Sequence, residues 1–264
     1  MTAGPDPASG EGRVLVIVPT FNERASIEEV ARLVLAAGPG IDLLVVDDSS
    51  PDRTAEVVGE LASSAGGRIH LIERPAKVGL GTAYVDGFHW ALRRGFEAIV
   101  AMDGDLSHDP RVVPQLVGCL RRADLVIGSR YVPGGEVRNW GLLRRTLSRA
   151  GNLYARTALG FGVKDSTSGF RAYRPAWLET GFPEPTTSQG YAFQIEMTRR
   201  IHRSGGRILE IPIAFTERRT GRSKMSRRIV FEAIWSVAWW ALRDRFGRFS
   251  PIRRGAPGPP VARP

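Results

Sequence analysis

Apolar residues fall into short unbroken runs separated by longer amphipathic stretches. Val14-Leu-Val-Ile-Val18 is a continuous β-branched run, as expected of a parallel strand buried on both faces. Ser26 through Ala37 carries a helical pattern, with Ser26 as the expected cap and Glu29 completing a capping box. Ile41–Val46 predicts a second strand, Thr54–Ser63 a helix, Ile69–Ile72 a third strand and about Gly81 to Arg94 a helix. Ile99–Met102 is the fourth strand; Pro110 opens a helix to Arg121, and Asp124–Gly128 is the fifth strand. This β-α alternation implies an α/β fold of three layers with right-handed crossovers. In such sheets ligands sit beyond the carboxyl ends of the strands.

The remainder reads as a helix over Leu142–Leu159 bearing Arg144, Arg145 and Arg149, a strand over Gly169–Tyr173, a helix over Tyr191–His202 and a last strand over Ile208–Phe215. Arg227 to Arg245 differs in kind. Its centre, Ile229–Leu242, is apolar apart from Glu232 and Ser236 and holds Trp235, Trp239 and Trp240. A spanning helix needs about 20 apolar residues, so this one is too short. Tryptophans and flanking arginines suit a helix lying in a membrane interface; the alternative is packing on the domain's own core or on a second copy. Residues 1–12 read as a disordered leader, 13–226 as the catalytic domain, 227–248 as the amphipathic helix and 249–264 as a disordered basic tail.

The 264 residues are 42% hydrophobic, enough for a substantial core, which excludes wholesale disorder. A net charge of +10 favours anionic partners: nucleic acid, acidic lipid or phosphorylated substrates. The single Cys119 excludes an intramolecular disulfide and a thiolate metal cluster, which fits a reducing cytosol.

Candidate chemistry gathers at predicted strand ends. Asp103-Gly104-Asp105 closes the fourth strand; two carboxylates one residue apart suit a divalent cation that keeps other positions for water and phosphate oxygens. The first strand ends in Pro19-Thr-Phe-Asn-Glu23, where Phe21 offers a flat face for a base and Glu23 an acceptor for ribose or base donors. The second ends in Val46-Asp47-Asp48; either aspartate binds ribose hydroxyls or base nitrogens, or caps a helix. Lys77-Val-Gly79-Leu-Gly81 precedes a helix, so its backbone approaches phosphate beside a positive helix end. Arg130, Arg144, Arg218 and Lys224 supply cations near those strand ends, and guanidinium groups hold phosphate bidentately.

Together these residues resemble a family 2 glycosyltransferase of the GT-A fold, and within it the dolichol (polyprenol) phosphate mannose synthases. The resemblance runs from about Val14 to Ser226. It rests on Pro19-Thr-Phe-Asn-Glu23, Val46-Asp-Asp-Ser-Ser-Pro-Asp52, Asp103-Gly-Asp-Leu-Ser-His108, Gly128-Ser-Arg-Tyr131, Ser168-Gly-Phe-Arg171, Gln189-Gly-Tyr-Ala-Phe193 and Arg218-Arg-Thr-Gly-Arg-Ser-Lys224. It implies Pro19, Phe21, Glu23, Val46, Asp48, Lys77, Gly79, Asp103 and Asp105 around the donor, with Mg²⁺ or Mn²⁺ on Asp103, Asp105 and Ser107. It also implies an acceptor phosphate on Arg130, Arg144, Arg218 and Lys224, with Asp105, Arg130 and Arg218 as catalytic groups. Two positions depart from the pattern: Phe21 stands where tyrosine is common, and Ser107 where glutamine often helps hold the metal.

The expected reaction is inverting transfer of mannose from GDP-mannose to polyprenyl monophosphate, peripherally at the cytoplasmic face of the plasma membrane. An integral-membrane partner is compatible with it. UDP-glucose as donor is the nearest alternative. A sugar nucleotidyltransferase would carry a Gly-rich, basic loop after its first strand, where this chain has Pro-Thr-Phe-Asn-Glu. Nucleic acid is not the expected partner, because the aromatics cluster in an apolar helix rather than interleaving with basic residues.

Overall fold

The computed structural model describes residues 12–181, 186, 188–217 and 227–246. Residues 1–11 of the expected leader, the expected tail, Arg218 and Lys224 lie outside the described residues.

β1 (Val14–Thr20), α1 (Arg24–Ala36), β2 (Ile41–Asp47), α2 (Thr54–Ser64), β3 (Ile69–Glu73), α3 (Leu80–Leu92) and β4 (Ala98–Ala101) alternate as the hydrophobic pattern predicts. A 3₁₀ turn at Pro110–Val112 leads into α4 (Val113–Cys119) and then β5 (Leu125–Ser129). There follow β6 (Glu136–Arg138), α5 (Leu142–Leu159), β7 (Arg171–Tyr173), α6 (Pro175–Gly181), α7 (Gly190–Arg203), β8 (Ile208–Pro212), β9 (Ala214–Thr216) and α8 (Arg227–Phe246).

Among the described residues one sheet runs β3-β2-β1-β4-β7-β5-β8. Its neighbours are parallel except at β7, which is antiparallel to both β4 and β5. The strand period of two divides the core. Leu15, Ile17, Leu44 and Val46 face α3, α7 and α8 through Tyr84, Phe88, Phe193 and Val237. Val14, Val16, Val18, Leu43 and Val45 face α1, α2 and α4 through Ile27, Val34, Val58 and Leu116. The three-layer α/β expectation holds, and β1 is buried on both faces.

Two local expectations are corrected. The helix expected to be capped by Ser26 starts at Arg24, and neither a Ser26 cap nor a capping box forms. Instead Ser26 Oγ donates to the carbonyl of Gly104 at 2.7 Å, tying α1 to the Asp-Gly-Asp turn, while Glu29 pairs with Arg32 on the surface. The strand expected over Ile208–Phe215 breaks in two: β8 stays beside β5, whereas β9 leaves to pair with β6. The break comes at Ile213, whose N–H donates to Ser129 O at 3.0 Å.

α8 packs on the domain's own core along one face, one of the alternatives posed for it. Ala233, Val237 and Trp240 pack inward, and Tyr154 of α5 donates to the carbonyl of Ile234 at 3.1 Å. Asp244 pairs with Arg199 and Arg203 of α7. The other face leaves Phe231, Trp235, Trp239 and Leu242 exposed, Trp235 at 75%. No helix among the described residues is long and apolar enough to cross a membrane.

Candidate active site

The carboxyl ends of β1, β2 and β4 open on one cavity of about 730 Å³. It brings together Pro19, Phe21, Glu23, Asp48, Lys77, Gly79, Asp103, Asp105, Ser107, Arg130 and Arg144, which sequence reasoning had drawn from six separate segments. Val46 is a correction: it is wholly buried in the core of β2 and does not line the cavity.

At the β1 and β2 end, the two neighbouring aspartates separate in role. Asp47 is consumed by the turn: Thr20 Oγ1 donates to it at 2.7 Å, and Ser50 donates through N–H at 2.8 Å and Oγ at 2.6 Å. Asp48 faces the cavity. The N–H of Gly79 donates to its Oδ2 at 3.2 Å, and Arg74 lies 2.9 Å from Oδ1 as an ion pair. Burial raises the Asp48 pKa above the ordinary aspartate value, against the Gly79 hydrogen bond and the Arg74 charge.

Arg74, not singled out from the sequence, staples this loop. It is buried, donates to Gly79 O at 3.2 Å and to Thr82 Oγ1 at 2.7 Å. Gly79 needs to be glycine: its φ is +120°, and a Cβ there would lie 2.2 Å from Gln189 Oε1. Lys77 Nζ sits 3.7 Å from the centroid of the Phe21 ring, so one face of that ring already holds a cation.

At the centre, the Asp103 side chain is 38% exposed. Asp105 is nearly buried and its Oδ1 accepts from Ser107 N–H at 3.0 Å. Ser107 thereby orients Asp105 through its backbone, and its own carbonyl accepts from Thr216. Gly169 closes the wall behind Asp103: a Cβ there would stand 3.2 Å from Oδ1. His108 lies between the rings of Phe170 and Phe215, with Nδ1 3.8 Å from Asp103 Oδ2. Burial pushes the His108 pKa down despite the nearby carboxylates. The donor set available to a metal is therefore the two hard carboxylates, and no group of three or more His, Cys, Asp or Glu suited to a metal occurs among the described residues. Such a set suits a cation sharing its remaining positions with phosphate oxygens and water.

At the β5 end stand the cations. Arg130 is 5% exposed and Asp165 fully buried. Asp165 accepts three bonds from Arg130: backbone N–H at 2.9 Å, Nε at 2.7 Å and Nη2 at 2.6 Å. Burial works against the Arg130 charge, but Asp165 outweighs it and leaves the pKa above the ordinary arginine value. Thr167 takes a further bond at 2.9 Å, and Trp140 and Phe215 rings flank the guanidinium, each 5.4 Å away. Arg144 lies 4.1 Å from the Trp140 centroid and pairs with Glu217. A cavity with two aspartates at its centre, Lys77 toward one end and Arg130 and Arg144 toward the other fits a metal-bound diphosphate facing a second anion.

Sequence reasoning missed Asp165, Arg74 and Trp140 and gave Gln189 and Gln194 no role. Gln189 was legible only as part of a motif; the others became visible through burial and long-range pairing.

A profile described as Glycosyl transferase family 2 matches residues 15–182. The chain is 47% identical over 249 residues to a polyprenol monophosphomannose synthase of Mycolicibacterium smegmatis, covering 93% of this chain and 94% of that one. It is 46% identical to an undecaprenyl-phosphate mannosyltransferase of Micrococcus luteus, over 89% of this chain and 96% of that one. A dolichol-phosphate mannosyltransferase of Pyrococcus furiosus is 35% identical, over 90% of this chain and 67% of that one. Among solved structures, glucosyl-3-phosphoglycerate synthase of Mycobacterium tuberculosis superposes with a TM-score of 0.64 at 22% identity, over 86% of this chain and 80% of that one, a likeness of fold. The match spans β1 through β7 and includes both central aspartates and Arg130, so the chain belongs to glycosyl transferase family 2.

Proposed function

We propose that this glycosyltransferase moves mannose from GDP-mannose to the phosphate of a polyprenyl monophosphate, with inversion at the anomeric carbon. The observation that carries the reading is that Asp103, Asp105, Arg130 and Arg144 line one cavity. The names of the relatives from M. smegmatis, M. luteus and P. furiosus support the lipid phosphate and the mannose.

The nucleotide lies against Pro19, Phe21, Asp48 and the Gly79 loop. Mg²⁺ or Mn²⁺ on Asp103 and Asp105 would neutralise the charge developing on the departing GDP. The acceptor oxygen belongs to a phosphate already ionised near neutral pH, so attack on the anomeric carbon requires no protein base. Arg130, fixed in direction by Asp165, offsets the repulsion between two anionic reactants. Arg144 adds a second cation, and Arg218 and Lys224 belong to the same role.

The exposed Phe231, Trp235, Trp239 and Leu242 of α8, with Arg243 and Arg245 beyond them, would seat the enzyme peripherally on the cytoplasmic face of the plasma membrane, where the lipid acceptor resides. The test is incubation with radiolabelled GDP-mannose, or UDP-glucose in parallel, plus polyprenyl phosphate in detergent, with and without Mg²⁺ or Mn²⁺. Metal-dependent label in the organic phase from GDP-mannose alone is the expected result. Lipid label from UDP-glucose alone would refute the donor, and no lipid label from either would refute the reaction.

A further inference from the structure

One side chain on the cavity wall is left without a purpose by the contacts around it. Gln194 of α7 is 2% exposed and lines the cavity. Neither its Oε1 nor its Nε2 has a hydrogen-bond partner among the described residues. Leaving both a donor and an acceptor of one buried amide unmatched is costly, and buried polar groups are ordinarily satisfied. Tyr84 and Tyr173 also bury unmatched hydroxyls, but neither lines the cavity. Asp48 Oδ1, His108 Nδ1, Trp140 Nε1 and Arg144 Nε do belong to cavity-lining residues and lack a hydrogen bond, each at one atom of a side chain held by an ion pair or a ring contact. Gln194 is thus the one cavity-lining residue, among those described, whose donor and acceptor are both unmatched.

Its position is rigid and specific. Arg171 Nη1 donates to the Gln194 carbonyl at 2.7 Å and Thr198 Oγ1 donates to the same oxygen at 3.0 Å. The adjoining Phe193 ring stacks on Tyr84 at 5.8 Å. Arg171 also binds Ser168 O at 2.6 Å, and the next residue, Gly169, abuts Asp103. One buried arginine therefore ties the Gln194 backbone to the wall behind the central carboxylates.

The chemistry of the amide selects its ligand. A phosphate only accepts hydrogen bonds and would face Oε1 with like charge. A sugar hydroxyl donates and accepts, so neighbouring hydroxyls satisfy both halves of an amide. We propose that the Gln194 side chain binds hydroxyls of the hexose carried by the nucleotide donor and so determines which sugar is held beside Asp103 and Asp105. The inference rests on the reading of this cavity as a nucleotide-sugar site.

The test compares wild type with Gln194→Met, a side chain of similar length without the amide, in binding GDP, GDP-mannose and the 2-, 3-, 4- and 6-deoxy donors in the presence of Mg²⁺. Wild type is expected to bind at least one deoxy donor roughly 10–100-fold more weakly than GDP-mannose. Gln194→Met should lose a similar factor on GDP-mannose, show no preference between it and that deoxy donor, and bind GDP within about twofold of wild type. Equal weakening of GDP and GDP-mannose, or a deoxy preference that survives the substitution, would overturn the proposal. Should Gln194→Met fail to fold, wild type labelled with ¹⁵N-glutamine and the shorter Gln194→Asn decide it. A Gln194 side-chain amide signal, assigned by its absence in Gln194→Asn, should move with GDP-mannose and stay put with GDP; no such movement overturns it. If wild type binds UDP-glucose and not GDP-mannose, the donor assignment fails, and the same deoxy series built on UDP-glucose still decides the role of Gln194. Binding of no nucleotide hexose would overturn both.

Discussion

Replacing Asp165 by asparagine removes one charge and almost no volume, and the structure says what that should do. The carboxylate is fully buried and accepts three hydrogen bonds from Arg130, itself 5% exposed. The pair is shielded from solvent, so no large screening discount applies, and removing one partner leaves an uncompensated buried guanidinium. Such losses cost about 3–5 kcal/mol. In a chain of this size each kcal/mol moves the melting temperature by roughly 2–4 °C, which gives a drop of about 6–20 °C by circular dichroism. Replacing both partners, Asp165→Leu with Arg130→Met, should recover most of that stability, because an apolar pair needs no compensation. It should not recover transfer, because the acceptor cation is gone. The pH dependence has a defined sign. Burial raises the Asp165 pKa, but Arg130 outweighs it and holds the pKa below the ordinary value. A depressed carboxylate contributes its full stability above the unfolded value, about 3.9, and loses it as pH falls through the folded one. The gap between wild type and Asp165→Asn should therefore stay constant from neutral pH to about 5 and narrow below about 4. A melting temperature for Asp165→Asn within about 2 °C of wild type at pH 7 would refute the reasoning.

Asp105→Asn should lower transfer by at least about 100-fold, the scale of metal-assisted charge stabilisation, with the fold retained by circular dichroism; full turnover in saturating metal would remove that carboxylate from the site. Gly79→Ala places a Cβ against Gln189 at a φ of +120°, so it should weaken GDP binding about tenfold or more by calorimetry, and unchanged affinity would detach the loop from the nucleotide. Phe231→Glu, Trp235→Glu and Trp239→Glu together touch only the exposed face of α8. Co-sedimentation with anionic liposomes should fall sharply while each surface change alters stability by no more than about 0.5 kcal/mol; undiminished sedimentation would contradict the membrane-seating role.

The strands that build the nucleotide end were legible because burial on both faces forces continuous apolar runs, as in Val14-Leu-Val-Ile-Val18. The direction of β7 was not, since Arg171–Tyr173 has the same composition whichever way it runs. β6 escaped notice, and β9 was read as the end of β8, because three residues carry no readable period of their own. In the site, Asp103, Asp105 and Asp48 announced themselves by standing where strands end. Asp47 and Asp48 could not be told apart until Thr20 and Ser50 were seen to engage the first. Ser26 looked like a cap because its neighbours permit one; a carbonyl 78 residues away, that of Gly104, claimed its hydroxyl instead. Asp165 lies 35 residues from Arg130, and nothing local marks it as that arginine's partner. The roles that stayed hidden are those set by which distant group a side chain meets in the interior.

Attack by a phosphate oxygen held by cations is the step on which the proposed reaction turns, because it removes the need for a protein base. It is tested most directly by offering the enzyme polyprenyl phosphate and the corresponding free polyprenol, each with radiolabelled GDP-mannose and Mg²⁺, and measuring lipid-soluble label. Label is expected on the phosphate lipid alone, in a product cleaved by mild acid to free mannose. Comparable transfer to the unphosphorylated alcohol would contradict it, because a neutral hydroxyl needs a base and gains nothing from Arg130 and Arg144.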